Sequence, residues 1–111
     1  MDREIFAGLI KLHVLYHASR DRIFGLWVIE ELRRHGYELS PGTLYPILHR
    51  MEKKGYLRSK REVVKGKTRR AYSITARGEE VLREAKTKVR ELFGEFCSKG
   101  PTYESARWKG R

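Results

Sequence analysis

Between Ser40 and Arg70 the chain carries its densest set of groups able to act on a partner. Leu44, Ile47, Leu48 and Met51 are spaced i, i+3, i+4, i+7, which marks the buried side of a helix. The opposite side presents Gly42, Pro46, His49 and Lys53, flanked by Thr43, Tyr45 and Arg50, with Ser40 just ahead. Small residues, hydroxyls, an imidazole and cations, rather than acids, suit hydrogen bonding to base edges and phosphate oxygens. A second set of cations follows in Lys65-Gly66-Lys67 and in Arg69 and Arg70, around a short glycine-containing loop. His49 and Arg50 are the candidates for base edges, whereas the later Lys and Arg residues suit phosphate.

The charge map supports this reading. The chain has 111 residues with 25 Lys and Arg against 14 Asp and Glu, a formal net charge of +11. Residues 1–49 are neutral, residues 50–70 carry a net +8, residues 71–97 are neutral, and residues 98–111 carry +3. A solvating charge would be spread around the surface; this one is concentrated in 21 residues and a tail. The expected partner is a polyanion, with duplex nucleic acid first.

Other chemistry is poorly supplied. His13 and His17 have the i, i+4 spacing of metal ligands, but no Cys or third His is near them in sequence, so packing is expected and no metal site. Cys97 is the one cysteine and has no evident activating neighbour, which suits a reducing compartment and an inert thiol. Ser19 near His17 lacks a third member of a triad, and Gly36, Gly42 and Gly55 punctuate helices without forming a phosphate loop. The expectation is a non-enzyme with no cofactor. No apolar run reaches the length of a membrane span, and the acidic start Met1-Asp2-Arg3-Glu4 is unlike a signal peptide, so a cytoplasmic protein without membrane contact is expected. The chain has no Asn or Gln and is rich in Glu, Lys and Arg, a composition that suggests a thermophilic source.

These groups need elements to position them. Residues 3–18 read as a helix with two apolar rows, Ile5, Leu9, Leu12 and Tyr16 on one side and Phe6, Ile10 and Val14 on another. A helix apolar nearly all round must be buried on two sides. A second helix is expected from about Ile23 to Arg34, with Phe24, Val28 and Leu32 inward and Gly36 as its stop. Ser40 and Pro41 open the third helix, residues 41–54, with Ser as N-cap and Pro at the first position. Two β-prone runs, residues 56–64 and 68–74, flank the Lys65-Gly66-Lys67 loop as a hairpin. Thr75 then caps a long helix to about Cys97. Its row Leu82, Ala85, Val89, Leu92 and Phe96, with Phe93 beside it, alternates in the manner of a coiled-coil seam.

The order predicts a mainly α fold with a small β-hairpin: a winged helix-turn-helix over residues 1–74, a dimerisation helix over 75–97, and a basic, mobile tail over 98–111. A major groove about 12 Å wide admits one α-helix, which makes the third helix the reader and residues 63–69 the wing. The seam on the last helix and the row Phe6, Ile10 and Val14 on the first are expected to satisfy each other across a twofold axis.

The run Ser40-Pro41-Gly42-Thr43-Leu44-Tyr45-Pro46-Ile47-Leu48-His49-Arg50-Met51-Glu52-Lys53-Lys54-Gly55-Tyr56-Leu57 is very similar to the signature of PadR-like transcriptional regulators. The later run Tyr72-Ser73-Ile74-Thr75-Ala76-Arg77-Gly78, with Leu82 beyond it, resembles that family's strand-to-helix junction. The resemblance spans roughly residues 5–97. It implies a homodimeric, repressor-type winged helix paired through its first and last helices, in the branch with a single C-terminal helix. It also implies that Thr43 and Tyr45 contact the DNA backbone, and it allows a small aromatic effector at the dimer interface, although nothing in the sequence places the aromatic Trp27 or Trp108 in such a pocket. Leu26-Trp27 after Gly25, and Ala71 and Ser73 around Tyr72, depart from the family's usual residues, so wing details carry over less well than the fold.

The expected function is therefore a sequence-specific, DNA-binding transcriptional regulator acting as a homodimer on a pseudo-palindromic operator. A winged-helix module for protein or RNA, and an architectural DNA binder, are the alternatives.

Overall fold

A computed structural model describes residues 1–98. The expected tail, with Trp108, otherwise lies outside the described residues. The elements in chain order are α1 (Arg3–Arg20), β1 (Ile23–Phe24), α2 (Gly25–Arg34), α3 (Pro41–Lys53), β2 (Leu57–Val64), β3 (Lys67–Ile74) and α4 (Ala76–Cys97). The three strands form one antiparallel sheet in the order β1-β3-β2.

Each element follows from local chemistry. The Asp2 side chain accepts from the backbone N–H groups of Glu4 and Ile5 and opens α1. Thr75 Oγ1 accepts from Gly78 N at 3.0 Å and opens α4. Between β2 and β3 only Lys65 and Gly66 make the turn, with φ of +51° and +78°. Two consecutive left-handed residues are the mark of the tightest hairpin turn, whose twist matches that of the strands. Lys67, expected in the loop, is already the first residue of β3.

The core gathers Ile10, Val14 and Leu15 of α1, Val28 and Leu32 of α2, Leu44, Leu48 and Met51 of α3, Leu57 and Tyr72 of the sheet, and Leu82 of α4. The inward row expected for α3 is buried in full, Leu44 and Leu48 at 0% exposure. Truncating such a leucine to Ala costs about 2–5 kcal/mol. Among the described residues no helix is long and apolar enough to cross a membrane.

Three expectations are corrected. Ile23 and Phe24 are strand, not helix: they pair with Tyr72 and Ala71 of β3, and α2 begins only at Gly25. A two-residue strand has no periodicity of its own, and its apolar side chains extend the α2 pattern backwards. The third helix, expected over residues 41–54, ends at Lys53, with Lys54 as its C-cap.

The third correction concerns the pairing face. Ile10 and Val14, expected at a dimer interface, are 2% and 0% exposed inside the chain's own core, and Phe6 is half-buried against it. The open row of α1 is the other one, with Ile5 71%, Leu9 43% and Tyr16 42% exposed. Leu82, expected in the dimer seam, is likewise buried against its own domain, and Ala85 is half-buried. The outward part of α4 starts at Val89 and continues through Leu92, Phe93 and Phe96. Two apolar rows on one helix carry no sign of which is inside; the positions of α2, α3 and the sheet decide it.

Candidate nucleic-acid interface

α3 is held down by its apolar row and offers the opposite side to solvent. Ser40, Gly42, Pro46, His49, Arg50 and Lys53 are exposed, and Thr43 and Tyr45 are half-buried. Ser40 stands at the N-cap without a side-chain bond to the helix; its Oγ lies instead 3.3 Å from Thr43 Oγ1. Pro46, inside the helix at its second turn, has no N–H to give the Gly42 carbonyl, so the ladder lacks that bond. Tyr45 rests on Gly25 of α2, where a Cβ would come within 2.6 Å of the phenol ring. A side chain at residue 25 would therefore displace the Tyr45 ring, so glycine leaves the space that the phenol occupies.

The wing carries Lys65 and Lys67 at its exposed tip. Arg69 is half-buried and Arg70 exposed, and strand alternation sends them to opposite faces of the ribbon. Two carboxylates interrupt the basic segment, and both point inward to protein partners. Glu62 receives Arg22 Nε at 2.8 and 2.7 Å. Glu52, on α3, accepts from Ser59 Oγ of β2 at 2.7 Å, and Arg70 Nη1 donates to the same Ser59 Oγ at 3.0 Å. Among the described residues, none of the ten Lys and Arg side chains of residues 50–70 forms an ion pair. Their charge is left to solvent or to a partner from outside the chain.

Some participants were not legible in the sequence. Arg3 donates through Nη1 to Thr43 Oγ1 at 3.2 Å, bringing a cation from the start of α1 to the start of α3. Val63, at 75% exposure, adds an apolar surface to the wing. Nothing in the spacing of Arg3 and Thr43, forty residues apart, signals their contact; a wing valine without a core role is the one hint available for Val63.

On the far side of α1, Leu9, Leu12, Tyr16, Ala85, Val89 and Phe93 line an open apolar cleft of about 480 Å³ toward α4. Leu92 and Phe96, half and three-quarters exposed, extend the apolar surface of α4. Trp27 stands edge-on to the His17 ring at 5.2 Å and does not line this cleft.

His13 and His17 do have a third histidine near them. His35, at the end of α2, stacks obliquely on His13 with ring centres 5.0 Å apart, and its Nε2 lies 3.2 Å from Glu31 Oε2. His17 Nε2 lies 3.8 Å from the same oxygen. Burial is the main cause that lowers the pKa of both His13 and His17, reinforced at each by the neighbouring His35. Among the described residues no group of His, Cys, Asp and Glu is placed to hold a metal ion. Cys97 is exposed at the end of α4.

Residues 14–84 match the model of the family described as "Transcriptional regulator PadR-like family". The chain is 45% identical over 93 residues to the transcriptional regulator Rv3488 of Mycobacterium tuberculosis, spanning 84% of this chain and 87% of that protein. Among solved structures it is similar to a PadR-like transcriptional regulator of Bacillus cereus, with a TM-score of 0.75, 26% identity, and 87% of this chain and 99% of that one covered. A PadR family transcriptional regulator of Eggerthella lenta superposes with a TM-score of 0.72 at 29% identity, covering 87% of this chain and 88% of that one.

Proposed function

The chain belongs to the PadR-like family of transcriptional regulators, and from that premise we propose that it binds duplex DNA sequence-specifically as a homodimer and acts as a repressor. One observation carries the reading. The cations of residues 50–70 are unpaired among the described residues, and they sit on an exposed helix face and on the adjoining wing. Leaving so many like charges together costs stability unless a polyanion meets them.

In this reading α3 lies in the major groove, with His49 and Arg50 at base edges and Ser40, Gly42, Thr43, Tyr45, Pro46 and Lys53 along the backbone and groove wall. Arg3 joins Thr43 at the phosphate flanking the helix start. Lys65, Lys67 and Arg69 take phosphate, or the minor groove, alongside. The second copy covers the open apolar stripe of α1 and α4: Leu9 and Tyr16 on one helix, Val89, Leu92, Phe93 and Phe96 on the other. A large apolar patch on a soluble protein marks such a surface. Twofold symmetry then calls for half-sites about one or two helical turns apart, at about 34 Å per turn. A cytoplasmic location follows from the role.

Selection of bound fragments from genomic DNA tests the proposal. Enrichment of a pseudo-palindromic sequence, competed by duplex DNA and not by RNA, is the expected result. Uniform coating without a preferred sequence would favour an architectural binder, and capture of RNA alone would favour the interaction module.

A further inference from the structure

Arg70 is exposed, basic and close to the wing, so it resembles a phosphate contact like its neighbours. Its guanidinium is instead engaged within the chain. Ser59 pairs with Tyr72, and Arg61 with Arg70, across the β2–β3 ladder, which puts Ser59, Arg61, Arg70 and Tyr72 on one face of the ribbon. On that face Arg70 Nη1 donates to Ser59 Oγ, and Ser59 Oγ donates to Glu52 Oε2 on α3. The hydroxyl has one proton, which goes to the carboxylate, and a lone pair, which takes the guanidinium N–H; neither bond competes with the other. Each end of the relay is charged, so both bonds are of the stronger kind.

The relay also has a defined setting. The Tyr72 hydroxyl beside it is buried and has no hydrogen-bond partner among the described residues. Glu62, the other acid of the basic segment, is occupied by Arg22 on the side of β1. The wing is therefore tied to α3 near its base, at Ser59, and to the turn before β1 farther out, at Glu62. A ribbon held at two places keeps its angle to the reader helix, and a surface ordered before binding loses less freedom when DNA arrives.

We infer that Arg70, Ser59 and Glu52 form a positioning relay that fixes the wing relative to α3, and that Arg70 serves DNA binding through this relay and not as a phosphate contact. The inference rests on the DNA-binding reading above. Arg70→Ala and Ser59→Ala are each expected to weaken binding of the selected duplex about three- to tenfold, the effect of ordering one or two side chains or a short loop on binding. The double variant is expected to be no weaker than either single one, and Ser59→Thr, which keeps the hydroxyl, to retain the affinity. The slope of log K against log salt is expected to stay at the wild-type value.

A slope reduced by about 0.9 per subunit in Arg70→Ala, the mark of a lost phosphate contact, would overturn the inference, as would additive losses. Amide hydrogen exchange of the free protein gives a readout that needs no DNA. Faster exchange along β2 and β3 in Arg70→Ala and Ser59→Ala, equal in the two and absent in Lys65→Ala, is expected. Unchanged exchange in both would refute the relay even if DNA binding itself failed; faster exchange together with no DNA binding by wild type would refute only the functional reading. If Arg70→Ala does not fold, Glu52→Ala breaks the relay from its other end and takes the same measurements.

Discussion

Arg22 Nε lies 2.8 and 2.7 Å from the two carboxylate oxygens of Glu62, joining the turn ahead of β1 to the outer half of the wing. The contact reaches across forty residues and removes one of only two acids from the basic segment as a free charge. The hydrogen bonds to Glu62 also raise the Arg22 pKa, with the carboxylate's charge acting the same way.

Arg22→Ala is expected to loosen the wing without unfolding the protein. The guanidinium is open to water, and exposed pairs contribute little to global stability. Amides of β2 beyond Lys60 should exchange faster, while the melting temperature stays close to that of wild type. A large drop in melting temperature would show that the contact supports the core instead.

Two glycines of α4 should respond in opposite directions to alanine. A Cβ at Gly78 would lie 2.2 Å from the Tyr56 carbonyl oxygen and 2.7 Å from Ile74 Cγ1, so backbone would have to move. Gly78→Ala should cost about 1–3 kcal/mol in urea unfolding. Gly94 has nothing within 4 Å of such a Cβ, and Gly94→Ala should gain about 0.5–1 kcal/mol from helix propensity. Equal effects at the two sites would contradict the close packing of α4 on the sheet.

Stability should fall as the solution becomes acidic through the histidine range. His13 and His17 titrate below the ordinary value of 6.5, mainly through burial. The unfolded chain therefore takes up protons first as pH drops past about 6.5, which favours unfolding. The melting temperature should be flat above about pH 7 and decline below 6.5, levelling once the native histidines are also protonated. In His13→Gln/His17→Gln the decline should be shallower; an unchanged profile would assign it to other groups.

The apolar rows of α1 and α4 allow folding and the proposed pairing to be tested separately. Leu92→Glu or Phe96→Glu should leave the helical signal intact and convert a dimer into a monomer by sedimentation, because both side chains face outward. Ile10→Ala should instead destabilise the fold by about 2–5 kcal/mol, since Ile10 is buried within one chain. Loss of the dimer without loss of stability in Ile10→Ala would reverse the assignment of faces.

These contrasts show what the residues alone could convey. α3 and its inner side were legible because Leu44, Ile47, Leu48 and Met51 leave one possible inner side. The wing was legible because Lys65-Gly66 is a turn in its own right, flanked by β-prone residues. α1 was legible as a helix and misleading as a surface: Ile10 and Leu9 are equally apolar, and only the neighbours differ. β1 was hidden because Ile23 and Phe24 gain their strand character from Tyr72 and Ala71, about fifty residues later. The contacts Arg3–Thr43, Arg22–Glu62 and His35–His13, and the relay through Ser59, are likewise products of the assembled fold. The free cations had a plain compositional signal; the partners of Glu52 and Glu62 did not.

The most direct measurement is equilibrium binding of the selected duplex between 50 and 200 mM salt, for wild type and for Lys65→Ala/Lys67→Ala. With about 6–10 phosphates contacted per dimer, wild-type affinity should fall about 10³–10⁵-fold over that range. The double variant should bind every sequence more weakly, with a shallower slope and an unchanged order of preference. A wild-type affinity nearly independent of salt, or a variant altered only in its choice of sequence, would contradict a DNA-facing surface built from these cations.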